Sequence, residues 1–149
     1  MYCLYIDGSG NNEKKSPAAY AGILYKLTNS GKIELKKYKK YIGYETQHEA
    51  KYQGILEGLK YAMLLNITQL NIYGNLEDFN GDFLKTFVPG SKETRVDSMF
   101  PPKLISTTKF HNISNEDKYY KKVKGLVMDV IKEELYTYTY GMDDTSNFL

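Results

Sequence analysis

The segment from Gln47 to Leu65 most constrains what this chain can become. Its apolar residues Tyr52, Ile55, Leu56, Leu59, Ala62 and Met63 recur with the helical period, while Gln53, Glu57 and Lys60 fall opposite them. An amphipathic helix needs an apolar surface to lie on, and the flanking segments offer strands. Tyr2 to Asp7 is apolar on both faces, as a central strand must be. Ala18 to Leu27 and Lys32 to Ile42 follow it, joined by Asn29-Ser30-Gly31, which has hairpin turn chemistry. Past the helix, Ile67 to Tyr73 reads as a second inner strand reached through a corner at Asn66, so strand, helix and strand make a crossover unit beside the hairpins.

Within the third strand Ile33 and Leu35 alternate, but Tyr38 falls on the other parity, which predicts a bulge near Lys36-Lys37 and an outer strand. Phe79 to Pro102 is punctuated by Asn80-Gly81, Pro89-Gly90 and Pro101-Pro102, so any helix inside it is short. Leu104 to Ile113 reads as the last strand. Asn115 to Leu135 reads as a closing helix with its stripe through Tyr119, Tyr120, Val123, Val127, Val130 and Ile131. The pattern describes an α/β fold, a mixed sheet with helices against it, spanning residues 1–136. A polar tail, 137–149, need not be ordered.

A chain of 149 residues suits one domain with a sizeable core. No apolar run approaches the roughly 20 residues a membrane span needs, and no basic leader precedes the first strand. The single cysteine, Cys3, excludes an internal disulfide and is placed in the core; the cytoplasm is the expected compartment. The formal charge of +2 is too small to announce nucleic-acid binding, but lysines concentrate in Lys36-Lys37-Tyr38-Lys39-Lys40 and from Lys118 to Lys124. Such runs are commonly solvated faces. Arg95 is the only arginine, so any phosphate attraction rests on lysine point charges rather than bidentate forks.

Four positions could carry chemistry. Asp7 ends the predicted central strand just before Gly8-Ser9-Gly10, where open α/β sheets place ligands, although an Asp-Gly turn needs no further role. Glu49 completes a capping box with Thr46, yet it also lies three residues before Tyr52, on the stripe that faces the sheet. A carboxylate there costs several kcal/mol unless paired, and a cation shared with Asp7 would pair it. Asn75 ends the second inner strand and should lie near Asp7; its amide oxygen can ligate a hard cation but brings no charge. Glu77 and Asp78 are neighbouring acids that could substitute for it. Asp117 opens the closing helix, where an acid complements the helix dipole, and Glu116 competes with it by register. His48 adjoins Glu49, His111 lies in the last predicted strand, and neither has a triad partner.

These blocks resemble the ribonuclease H superfamily. Tyr5-Ile6-Asp7-Gly8-Ser9 looks like its first strand and opening aspartate, and Thr46-Gln47-His48-Glu49-Ala50-Lys51-Tyr52, continuing to Leu56-Glu57-Gly58-Leu59, looks like its catalytic helix. Ile72-Tyr73-Gly74-Asn75 is similar to the strand bearing the third acid, and His111 to Asp117 resembles the final block. The resemblance covers nearly the whole chain, with 79–102 unmatched in detail.

The resemblance implies a five-stranded mixed sheet, three antiparallel strands then two parallel ones, flanked by helices. It also implies an endonuclease that cuts the RNA strand of RNA/DNA hybrids with two magnesium ions, or manganese in their place. Asp7, Glu49 and Asp117 become metal ligands, and Asn75 stands where the third aspartate belongs, which impairs the metal site. Gly8, Ser9 and Gly10 with Thr46, Gln47 and His48 become substrate contacts, Gln47-His48 replacing the usual pair of asparagines, and His111 is an auxiliary candidate. The expected form is a monomer acting on a hybrid or another nucleic acid. The alternative is an inactive domain that binds nucleic acid or a protein partner. An engineered aspartate-to-asparagine change, a natural loss of activity and a tolerated asparagine all fit residue 75.

Overall fold

Strand β1 (Tyr2–Ser9) is buried on both faces, Leu4 and Ile6 toward one layer and Cys3 and Tyr5 toward the other. It forms the middle of a five-stranded sheet of order β3-β2-β1-β4-β5 in the computed structural model. Residues 1–77, 79, 81–88 and 90–147 are described, with the backbone alone for 81 and 137–147. Strands β2 (Ser16–Thr28) and β3 (Gly31–Glu45) continue from β1 as antiparallel neighbours. On the other side β4 (Leu70–Gly74) and β5 (Lys109–Asn112) run parallel to β1.

Helix α1 (Gln47–Leu64) covers one face. Thr46 caps it by accepting from the Glu49 backbone N–H at 3.2 Å, and Asn66 ends the turn beyond it with a left-handed φ of 57°. Ile55, Leu59 and Ala62 are fully buried against Leu4, Ile6 and Ile72. Helix α3 (Lys118–Asn147) covers the other face through Val123, Val127 and Val130, which pack with Tyr5, Tyr25 and Ile23. Opposite faces of β1 are thus sealed by two helices, and the end of the strand at Asp7 lies between them.

Several expectations are met in detail, since β3 is the outer strand and Tyr38 is buried while Ile33 and Leu35 are exposed. The bulge sits one residue earlier than expected: the register shifts between Leu24 and Tyr25 opposite Lys36 and Glu34, so Leu35 is the extra residue. A second shift makes Ile42 extra opposite Ala18 and Ala19. The last strand is shorter than its apolar pattern predicts. Residues Pro102–Thr107 form the short helix α2, because Pro102 pre-sets a first helical turn, and the Thr108 hydroxyl donates back to the Leu104 carbonyl at 2.7 Å. Likewise β4 begins at Leu70, three residues after Ile67. The 79–102 region contributes two 3-10 turns, Gly81–Lys85 and Val96–Met99, whose Phe83, Leu84 and Val96 join the α1-side core. The backbone of α3 stays helical past Leu135 to Asn147, so the expected tail is largely helix; Phe148 and Leu149 lie outside the described residues.

Candidate functional site

Asp7 lies near the carboxyl end of β1, where the chain passes beneath the start of α1. Gly8 makes that approach: a Cβ on it would stand 2.8 Å from the Lys51 backbone nitrogen, too close for any other residue without a shift. Gly10, at a φ of 143°, turns the chain so that the Asn11 carbonyl accepts from Gln47 N–H at 3.0 Å, and Gln47 Nε2 donates to the Gly8 carbonyl at 3.2 Å. The loop and the helix start are therefore fixed to each other.

The Asp7 carboxylate is only 6% exposed. Its Oδ1 accepts from the Tyr120 hydroxyl at 2.8 Å. Burial pushes the Asp7 pKa above its ordinary value, opposed by the Tyr120 hydroxyl, the Gly8 backbone N–H and the ammonium groups of Lys51 and Lys124. Lys51 is itself buried on α1. Asn75, exposed just after β4, lines the same cavity as Asp7, about 250 Å³ in volume, together with Ser9, Gln47, Asn115 and Lys124. The Ser9 hydroxyl oxygen is buried there without a hydrogen-bond partner.

The other candidates are arranged differently. Glu49 Oε1 accepts from Gln53 Nε2 at 3.1 Å, and Glu49 lines a separate cavity of about 470 Å³ with His48, Tyr52, Phe79, Phe83 and Phe87. His48 stacks on Phe79 with ring centres 4.6 Å apart. Asp117 is the cap of α3, its Oδ1 accepting from the backbone N–H groups of Tyr119 and Tyr120 at 2.9 and 3.0 Å. Glu116 is exposed and pairs with Lys121 at 2.8 Å. His111 Nε2 lies 2.8 Å from Asn71 Oδ1 and its ring stacks on Tyr73 at 4.7 Å, which accounts for it within the sheet. Glu77 is exposed and Asp78 lies outside the described residues.

Asp7 and Asn75 are therefore brought to one cavity, and Glu49 lines another. Among the described residues no three acids, histidines or cysteines gather as a group able to hold a metal ion. Two divalent ions about 4 Å apart need a cage of carboxylates. Around Asp7 the chain supplies a phenol, an amide and two lysines, a donor set that does not fit such a centre. Lys51, Tyr120, Lys124 and Asn115 are the members of this site that motif reading passes over. A signal existed for two of them: Lys51 falls on the α1 stripe four residues before Ile55, and Lys124 follows Tyr120 by one turn of α3.

No family model matches the chain, and no curated protein does. Solved structures do match. The chain is similar to LC11 ribonuclease H1, isolated from compost by a metagenomic approach, in complex with an RNA/DNA hybrid: 20% identity, TM-score 0.68, covering 91% of this chain and 99% of that one. It is also similar to ribonuclease H1 from the halophilic archaeon Halobacterium salinarum, at 14% identity and TM-score 0.63, with 89% and 98% covered. A third likeness is to the prototype foamy virus protease-reverse transcriptase, native form, at 11% identity and TM-score 0.60, over 87% of this chain and 20% of that one. The chain has a ribonuclease H-like fold. Among the described residues no helix is long and apolar enough to cross a membrane.

Proposed function

We propose that this chain is a nucleic-acid-binding domain, with RNA/DNA hybrid as the first candidate ligand, that does not hydrolyse it by two-metal chemistry. One observation carries the reading: the Tyr120 hydroxyl occupies Asp7 Oδ1 in a cavity that Asn75 and Lys124 also line, where shared cations would need carboxylates. The nucleic-acid half draws on the fold shared with a ribonuclease H1 bound to a hybrid and on exposed lysines of β3 (Lys36, Lys37, Lys39, Lys40) and α3 (Lys118, Lys121, Lys122, Lys124). With a single arginine, the interaction reads backbone and shape rather than base edges. The domain acts as a monomer, and the cytoplasm is its expected place.

A second reading has one observation in its favour, that Asp7 and Asn75 line the same cavity. It is a magnesium- or manganese-dependent endonuclease, impaired at Asn75, with Asp7, Glu49 and Asp117 as the remaining acids. Incubating a labelled RNA/DNA hybrid with the chain and with Asn75→Asp in either metal separates the two. Binding without cleavage by both forms is expected; cleavage by Asn75→Asp that disappears on adding Asp7→Asn would establish the nuclease instead.

A further inference from the structure

The cavity beside Asp7 has the wrong charge for cations and the right one for an anion. Asp7 is the acid that lines it, and the ammonium groups of Lys51 and Lys124 lie close enough to act on its carboxyl group. The other polar groups of the lining, Ser9, Gln47, Asn75, Asn115 and Tyr120, are neutral. Asparagine at 75 matters in this setting because an amide N–H₂ can donate to an anionic oxygen that a carboxylate would repel. Gln47 is already committed to the Gly8 carbonyl, but the Ser9 hydroxyl is buried with no partner. Its hydrogen-bonding capacity is not taken up within the chain. Lys124 is exposed at the cavity mouth while Lys51 is buried behind Gly8, so an incoming anion meets Lys124 first.

We propose that this cavity seats a backbone phosphate of the nucleic acid directly, without a bridging metal ion, Lys124 supplying the charge and the Ser9 hydroxyl and Asn75 amide supplying hydrogen bonds. The inference rests on the nucleic-acid-binding reading and gives that site its ligand group. It reverses the usual logic of a phosphate held through carboxylate-bound cations: the cations here are side chains.

Fluorescence anisotropy with a labelled RNA/DNA hybrid tests it, in EDTA and in magnesium chloride at matched ionic strength. The chain is expected to bind equally in both. Lys124→Ala should weaken binding about tenfold and reduce the slope of log affinity against log salt by roughly 1, as loss of one phosphate contact does. Lys124→Arg should restore binding. Asn75→Asp should weaken it several-fold in EDTA. Lys26→Ala, at the opposite end of the sheet where Lys26 pairs with Tyr2, should change little. Melting curves of each variant separate lost binding from lost folding. Binding that is lost in EDTA, or a Lys124→Ala effect no larger than that of Lys26→Ala, overturns the phosphate seat and leaves the binding reading standing. No binding to hybrid in either buffer overturns both.

Discussion

Asp7 carries an electrostatic strain whose sign can be worked out. Burial dominates its environment and raises its pKa, so the folded chain holds that proton more tightly than the unfolded chain does. Stability therefore falls as pH rises from the ordinary carboxylate range through the raised folded value. Asp7→Asn is expected to raise the melting temperature at pH 7 relative to the unaltered chain, with the gain shrinking as pH drops below the folded pKa; a gain that grows in acid would contradict this. Tyr120→Phe works in the other direction. It removes the 2.8 Å hydrogen bond to a buried carboxylate and should cost about 1.5–3 kcal/mol, and less when combined with Asp7→Asn, which a double-mutant cycle by urea unfolding would measure. Asp117 has a different role, because its oxygen is engaged with two backbone N–H groups of α3. Asp117→Ala should cost about 1 kcal/mol of stability as a lost helix cap while leaving hybrid affinity unchanged.

The elements around these residues are placed by close packing that glycine permits. Gly58 on α1 faces β1 and β3 so closely that a Cβ would collide with the Leu4 side chain and stand 2.7 Å from the Tyr38 hydroxyl. Gly58→Ala should overpack the α1 face and cost about 1–3 kcal/mol, read as a lower urea midpoint. Contacts of this kind explain which parts of the fold were legible beforehand. Helix α1 was readable because Ile55, Leu59 and Ala62 repeat at helical spacing and Thr46 marks its start; the strand order followed from the hairpin at Asn29-Ser30-Gly31 and the crossover through Asn66. The start of β5 was not, since Leu104 and Ile105 are apolar in either state and only the Pro101-Pro102 pair favours a helical turn. Asp7 and Asn75 could be paired because neighbouring strand ends bring them together. The contact of Tyr120 with Asp7 spans 113 positions, and no local period announces it. A tyrosine on a helical stripe reads as core until the facing strand is known.

At the scale of the molecule, the two halves of the ribonuclease H-like architecture serve different ends in this chain. The scaffold is retained, with β1 at the centre, a helix on each face and the strand end opening into a cavity. The cavity's polar groups are those of an anion site, so the folded state has little to gain from divalent cations. Anything that binds only the folded state stabilises it by RT ln(1 + [L]/Kd), about 2.7 kcal/mol at a ligand concentration of 100 Kd. In a chain of this length that gain would lift the melting temperature by roughly 5–11 °C, at about 2–4 °C per kcal/mol. Magnesium at millimolar concentration is accordingly expected to leave the melting temperature where EDTA leaves it, once ionic strength is matched. A short RNA/DNA hybrid should raise it in either buffer, because its phosphates meet lysines already in place. If magnesium alone produced a shift of several degrees, a carboxylate cage would have to assemble in solution. Glu49 would then have to leave Gln53 and turn toward Asp7, and the hydrolytic reading would regain its footing.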